Sequence, residues 1–273
     1  MTIDLAPYLR RIGLQAPPAP TLAGLDLLVR HHSRAIPFEN IDVLAGRVPA
    51  LDQQALENKL VHSRRGGYCF EQNRLFMACM QALGFAVQAL EARVRTGVAA
   101  DAATARTHMA LRVTVLGEAY LADVGFGSLA PVSALRFSSR AEQDSGRGVY
   151  RFVDVAAGVL LQARTHGGWS DCYCIGVDEP NPIDFEMANW FVATHPQSFL
   201  GQNLLVARSV EAGRMTLFNR ELSTQGSLDR EPERRLLNSR AEMATVLGEG
   251  FGLELADRDL DALMTVVERR AAA

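Results

Sequence analysis

Arg64-Arg65-Gly66-Gly67-Tyr68-Cys69-Phe70-Glu71-Gln72-Asn73 is the stretch from which the rest of the chain is read. A basic pair and two glycines lead into a cysteine. An amphipathic segment follows, with Phe70, Leu75, Phe76, Met77, Met80 and Leu83 as its apolar residues, and Gly84 stops it. The spacing predicts a loop that delivers Cys69 to the first turn of a buried helix. Unpaired N–H groups and the positive end of the helix dipole favour a thiolate there, and Arg64 and Arg65 add positive charge. Gly66 and Gly67 allow a tight turn and the close approach of another molecule. A buried structural cysteine behind a Gly-rich turn fits the same letters, so a reactive Cys69 needs partners elsewhere in the chain.

On the N-terminal side the pattern is helical. Ile3 to Leu14 is a short amphipathic stretch ended by Pro17-Pro18-Ala19-Pro20. Thr21 suits the N-cap of a helix carrying Leu22, Leu25, Leu28, Val29 and His32, and Asp52 that of one carrying Leu56 and Leu60. On the C-terminal side the period becomes strand-like. Phe85 to Val94 is rich in Val and Leu, and Ala99 to Ala105 is an Ala-rich loop. His108 to Leu116 alternates, with His108, Ala110, Arg112 and Thr114 on one face and Met109, Leu111, Val113 and Val115 on the other. Gly117-Glu118 reads as a hairpin turn and Ala119 to Val124 as the returning strand, stopped by Gly125-Phe126-Gly127-Ser128. Further strands are expected at Val149–Val155, Val159–Ala163, Cys172–Val177, Leu204–Ser209 and Arg214–Phe218. Phe185 to Phe199 is ambiguous. Ser239-Arg240-Ala241-Glu242 opens a helix to Leu247, and a last helix runs from about Asp257 to Glu268. Helices, then strands, then a mixed tail give an α+β chain of about three lobes: 1–84, 85–190 and 191–273.

Composition narrows the function classes. The 273 residues are 48% hydrophobic and 22% charged, an ordinary globular balance. A formal charge of −3 gives no long-range attraction for nucleic acid or an anionic membrane. Cys69, Cys79, Cys172 and Cys174 are unevenly placed and do not form a disulfide framework. Cys172-Tyr173-Cys174, without a matching pair, lacks the four ligands zinc takes and fits alternate strand positions, so no metal is expected. The first residues lack the build of a signal peptide, and no run approaches the roughly 18 apolar residues of a membrane span. These features point to a soluble protein of the reducing cytoplasm.

An activated cysteine needs a base in reach and a third group to orient that base. His108 stands on the first strand of the hairpin and Asp123 at the end of the second. A turn at Gly117 sets Asp123 opposite the neighbourhood of Leu111. That is about three residues, or about 10 Å, from His108. A regular hairpin therefore brings the two near each other without contact; a bulge, a register change or the curl of a barrel must close the gap. His108 also follows Cys69 far sooner than the about 130–150 residues of a papain-type protease.

Taken together, Arg64 to Cys69 with Glu71 and Asn73, Pro37-Phe38-Glu39-Asn40, Thr107-His108-Met109 and Asp123-Val124-Gly125-Phe126-Gly127 closely resemble the arylamine N-acetyltransferases, and the bacterial members in length. The resemblance covers nearly the whole chain, more loosely from about residue 200. It implies a helical bundle, an antiparallel β-barrel and an α/β lid. It implies a transglutaminase-like triad of Cys69, His108 and Asp123. It further implies acetyl-CoA as acyl donor and cosubstrate, with no permanently bound cofactor, and an arylamine, arylhydrazine or N-hydroxyarylamine as acceptor. Gln72 stands where the motif varies, and the Ala99–Ala105 loop has fewer polar groups than a nucleotide-bearing donor would favour.

Around the triad, Phe126 and Phe38 offer flat walls to an aromatic amine. Gly127 and Ser128, with Thr104 and Ser198, are the residues expected to contact the donor. Arg64, Glu39 and Asn40 are read as a buried network fixing the Cys69 loop to the second helix. Trp169 fits either a pocket or ordinary packing. Three rivals remain at this level. An amide synthase of the same family would take a carrier-bound acyl chain, a cysteine hydrolase would use water as acceptor, and a binding module without catalysis would leave Cys69 no more reactive than the other cysteines.

Overall fold

In a computed structural model, which describes residues 3–99 and 101–271, short polar residues open the N-terminal helices. Ala100, in the Ala-rich loop, lies outside that range. Asp4 accepts from Ala6 N at the head of α1 (Leu5–Arg11), and Thr21 accepts from Gly24 N at the head of α2 (Leu22–Ala35). Each satisfies a donor that a helix start otherwise leaves open. A two-residue strand, β1 (Phe38–Glu39), and one turn of helix, α3 (Ile41–Leu44), come next. Asp52 caps α4 (Gln53–Leu56) through Ala55 N, and that helix continues as a wider turn over Glu57–His62. The helix expected behind the double glycine is α5 (Cys69–Ala82), with Cys69 as its first residue.

β2 (Ala86–Val94), β3 (Arg106–Val115), β4 (Glu118–Ala122), β5 (Leu135–Arg136), β6 (Gln143–Asp144), β7 (Val149–Val155), β8 (Gly158–Thr165) and β9 (Gly168–Ile175) form one antiparallel sheet, in the order β5-β4-β3-β2-β9-β8-β7-β6. The Gln143 side chain joins its two edges. Gln143 Oε1 accepts from Arg136 N at 2.7 Å, and its Nε2 donates to Arg136 O at 3.1 Å. The sheet is thus a nearly closed barrel, with an amide across the seam where two strand edges would otherwise stay open.

The ambiguous stretch is a helix, α6 (Pro182–Thr194), followed by α7 (Phe199–Gln202). Phe185, Ala188 and Val192 are buried, while Ile183, Met187 and Trp190 are exposed. Apolar residues on both faces erase the helical period, which is why the sequence pattern is mute there. The rest comprises β10 (Leu205–Val210), β11 (Gly213–Phe218), β12 (Glu221–Gln225), β13 (Glu233–Leu236), α8 (Arg240–Thr245) and α9 (Asp257–Ala271). β10 to β13 form a second antiparallel sheet with β1 on its edge, so the N-terminal third supplies a strand to the C-terminal one.

β3 divides two cores as its alternation predicts. Met109, Leu111, Val113 and Val115 pack with Leu75, Phe76 and Met80 of α5, and Ala110 faces Leu90, Leu121 and Tyr173 inside the barrel. Each large apolar side chain so buried contributes about 1.5–3 kcal/mol. The hairpin turn lies at Leu116-Gly117, both with positive φ (51° and 83°), one residue before the expected Gly117-Glu118.

Candidate active site

Cys69 is the first residue of α5 and is buried, 5% exposed. Its loop is pressed against β1: Glu39 N donates to Gly67 O at 3.0 Å and Gly67 N to Pro37 O at 3.3 Å. A Cβ on Gly66 would lie 2.1 Å from Pro37 O, so only glycine permits this approach. Glu71, in the first turn, reaches back to accept from Tyr68 N at 3.1 Å. Tyr68 in turn donates its hydroxyl to Asn189 Oδ1 of α6. The nucleophile's position is therefore set by β1, α5 and α6 together.

His108 and Asp123 meet directly: His108 Nε2 lies 2.7 Å from Asp123 Oδ2, both side chains being buried. Two irregularities close the gap that a regular hairpin leaves. The β2–β3 ladder pairs Ala92 with His108 and Arg93 with Arg106, so Thr107 is an extra residue, and its freed carbonyl accepts from Cys69 Sγ at 3.7 Å. The β3–β4 ladder ends at Leu111 and Ala122, and the chain then leaves the sheet and curls over the start of α5. Gly125 touches Cys69 there; a Cβ on it would lie 2.7 Å from Cys69 Cα.

Asn73 holds that curl in place. Its Nδ2 donates to Met109 O at 2.7 Å and to Asp123 Oδ1 at 2.9 Å, and its Oδ1 accepts from Val124 N at 3.1 Å. Asp123 also accepts from Gly125 N at 2.8 Å and from the Tyr173 hydroxyl at 2.8 Å. Burial would raise this carboxyl, but the His108 charge and the converging donors hold it below the usual carboxylate range. For His108, burial alone disfavours the cation. The Asp123 charge and hydrogen bond, followed by a hydrogen bond with Cys69, outweigh it and raise the imidazole to about 10. Nε2 is taken by Asp123, and Cys69 lies close enough to act on the same ring.

Phe126 is half-buried and stands edge-on to the His108 ring, centroids 4.8 Å apart, with Tyr173 at 4.7 Å. Phe38 is instead part of the core, paired through β1 with Ala207. The Gly127 and Ser128 carbonyls accept from the buried Arg214 guanidinium of β11, which also donates to Ala130 O at 2.8 Å. This ties the turn beyond Asp123 to the second sheet. Thr104 lines a cavity of about 550 Å³ together with Arg93, Arg95 and Cys174. Ser198, expected to face a donor, is a buried helix cap: its hydroxyl donates to Val192 O at 2.6 Å and accepts from Gly201 N at 3.4 Å.

The buried network is real but its arginine is a different one. Arg64 is exposed and pairs with Glu254, at 3.4 Å. Arg65 takes the inner position, with Glu39 at 2.8 Å, Asp42 at 3.3 Å and Asp259 of α9 at 3.5 Å. Lys59 completes the cluster, 2.6 Å from both Asp42 and Glu71. Burial nonetheless pushes the Glu71 carboxyl up to about 7 against the pull of Lys59. Among the described residues the Asn40 side chain makes its hydrogen bonds away from the Cys69 loop. It donates to Leu200 O and Asn203 O and accepts from Leu205 N, fixing the entry to β10.

Three contributors were not assigned roles from sequence. Asn73 lies one helical turn beyond Cys69, on the same face of α5, a spacing that signals a shared neighbourhood. Tyr173 was hidden between two cysteines on β9. Gly125 stands in the motif after Asp123, but its spacing reads only as a turn. Trp169 sits on the barrel's outer surface, under the Arg151 guanidinium at 4.1 Å from the ring centroid.

A sequence profile of the N-acetyltransferase family matches residues 21–260. An arylamine N-acetyltransferase of Mycobacterium tuberculosis is 39% identical over 261 residues, covering 94% of this chain and 92% of the relative. An arylamine N-acetyltransferase / N-hydroxyarylamine O-acetyltransferase of Salmonella typhimurium is 39% identical over 220 residues, 80% of this chain and 78% of the relative. The structure of Mycobacterium marinum arylamine N-acetyltransferase in complex with CoA superposes with a TM-score of 0.91 at 36% identity, over 97% of this chain and 99% of that one. By its sequence and by its fold, the chain belongs to the arylamine N-acetyltransferase family.

Proposed function

We propose that this protein transfers the acetyl group of acetyl-CoA to aromatic amines and hydrazines, and to the oxygen of N-hydroxyarylamines, through an acetyl-Cys69 intermediate. The observation that carries the reading is the Cys69–His108–Asp123 arrangement at the start of α5, with Asp123 held by Asn73, Tyr173 and Gly125 N. The names of the matched relatives support the acceptor class, and the CoA complex of the M. marinum relative supports the donor. An amide synthase finds no support among those relatives.

In the first half-reaction His108 takes the Cys69 proton. Sγ attacks the thioester carbonyl, and the C–S bond to CoA breaks. His108 returns the proton to the departing CoA sulfur. Exchanging one thioester for another is nearly even in energy, so the acetyl group stays transferable. In the second half-reaction the amine attacks acetyl-Cys69, neutral His108 accepts the amine proton, and Cys69 leaves as the thiol once that proton is passed on. Backbone N–H groups at the head of α5 are the donors available to the oxyanion. Asp123 holds the ring and stabilises its cation, and Phe126 gives the aromatic acceptor a wall.

Initial rates with both substrates varied test the scheme. The double-substitution mechanism gives parallel lines in double-reciprocal plots, and Cys69→Ala abolishes transfer. Intersecting lines, or transfer retained by Cys69→Ala, contradict it.

A further inference from the structure

Phe126 precedes one tight helical turn, Gly127–Leu129, through which the chain leaves Asp123. Side chains take each of the four carbonyls from Gly127 to Ala130. Arg214 donates to Gly127 O at 3.4 Å, to Ser128 O, and to Ala130 O at 2.8 Å. The Tyr150 hydroxyl, inside the barrel, reaches Leu129 O at 3.1 Å and Ala130 O at 3.2 Å. Arg214 is buried, and no carboxylate pairs with it among the described residues. A buried guanidinium without a carboxylate depends on carbonyl oxygens to replace its lost water. Cation and turn therefore hold each other. The planar fork of an arginine can address three carbonyls of one turn, whereas a lysine ammonium is a point charge.

The anchor lies within the second sheet. Arg214 stands on β11, paired with Ser209 of β10 on one side and Gln225 of β12 on the other. The groups that fix Asp123 come from elsewhere: Asn73 from α5, Tyr173 from β9 and Gly125 N from the chain beside it. Two separate attachments thus meet in this segment. Gly125 is held to Asp123 and Gly127 is held to Arg214, and Phe126 is the residue between them. Its ring stands 4.8 Å from that of His108, where an aromatic acceptor would lie.

We infer that Arg214 is a positioning residue for the aromatic acceptor: it fixes the turn that aims Phe126, and so makes the seating of a ring depend on the second sheet. The inference rests on the acyl-transfer reading and deepens it, since it assigns a residue outside the triad to the second half-reaction alone.

In a double-substitution reaction kcat/KM for each substrate reports its own half-reaction, so the donor and acceptor sides are measured apart. Arg214→Lys keeps the charge and loses the fork. It is expected to lower kcat/KM for p-anisidine about ten- to a hundredfold, the cost of a small misplacement in a binding wall. For acetyl-CoA, and for hydrazine, which has no ring to seat, the loss stays below about threefold. Phe126→Leu removes the ring itself and gives a loss of the same order for p-anisidine. The double variant loses little more than either single one, because both changes remove one effect. If Arg214→Lys does not fold, Tyr150→Phe loosens the same turn from the barrel side, with a loss of about threefold for p-anisidine and none for hydrazine. Four results overturn the inference: p-anisidine turnover unmoved by Arg214→Lys, equal losses for p-anisidine and hydrazine, a loss confined to acetyl-CoA, or additive losses in the double variant. No transfer to either amine by the unaltered protein is a different failure, since it removes the acyl-transfer reading itself.

Discussion

Two buried histidines of this molecule share their degree of enclosure and differ in everything that decides their chemistry. His32 lies in α2 between the Tyr8 hydroxyl, 2.9 Å from Nδ1, and Gln72 Oε1, 2.6 Å from Nε2. Gln72 spends its own Nε2 on the carbonyls of Pro37 and Gly67, so its oxygen faces His32 as an acceptor. His32 therefore donates from Nε2 and accepts at Nδ1, a neutral imidazole with both nitrogens satisfied. Burial, opposed by the Gln72 hydrogen bond and aided by the charge of Arg11, drops it to about 4. His108, equally enclosed, has a carboxylate and a thiol for neighbours and rises to about 10. Burial without a carboxylate makes a structural histidine; burial beside Asp123 and Cys69 makes a base.

The largest effect should come from removing the charge that separates the two. Asp123→Asn is expected to slow acylation by Cys69 about 10³- to 10⁴-fold, as for other triads that lose their orienting carboxylate. His32→Gln should slow it less than about tenfold. Single-turnover acylation measures both, and equal losses would break the comparison.

Stability offers the next contrast, between the two adjacent arginines. Arg65→Ala leaves the buried Glu39 without its cation, while Asp42 keeps Lys59, and should cost about 3 kcal/mol. Arg64→Ala should cost under about 0.5 kcal/mol. Urea unfolding distinguishes them, and similar costs would mean that the buried network does not carry the loop.

The histidines also predict opposite slopes of stability with pH. His32 has a folded pKa below its unfolded value of about 6.5, so its contribution is present above 6.5 and lost as pH falls through about 4. The loss approaches about 3 kcal/mol, and His32→Gln should remove up to about 1.4 kcal/mol per pH unit of slope in that window. His108 has the reverse sign: its contribution is present below about 6.5 and lost as pH rises through about 10. An acid slope unchanged in His32→Gln would show that another group carries it. The smallest effect is expected from Tyr173→Phe, which removes one of the hydrogen bonds on Asp123 and should slow acylation about tenfold. Its unfolding curve should move by no more than about 1 kcal/mol.

Much of this was legible in the letters. Cys69 at a helix start follows from the double glycine and the apolar spacing behind it, and the two faces of β3 follow from its strict alternation. The contact between His108 and Asp123 was not legible, because it depends on a bulge at Thr107 and on an asparagine reaching across from α5. Neither leaves a periodic trace. Arg64 and Arg65 are indistinguishable in sequence; a left-handed turn at Arg64 decides which of them points inward. Tyr173 reads as a spacer between two cysteines until the curvature of the barrel brings β9 beside β2 and its hydroxyl onto Asp123.

The most direct test of the central claim is the mass of the intact protein after brief exposure to acetyl-CoA without an amine. The account predicts one added acetyl group, located on Cys69, which persists alone and disappears when an arylamine or arylhydrazine is supplied. No adduct and no release of CoA, or an adduct that remains when Cys69 is replaced by alanine, would contradict it.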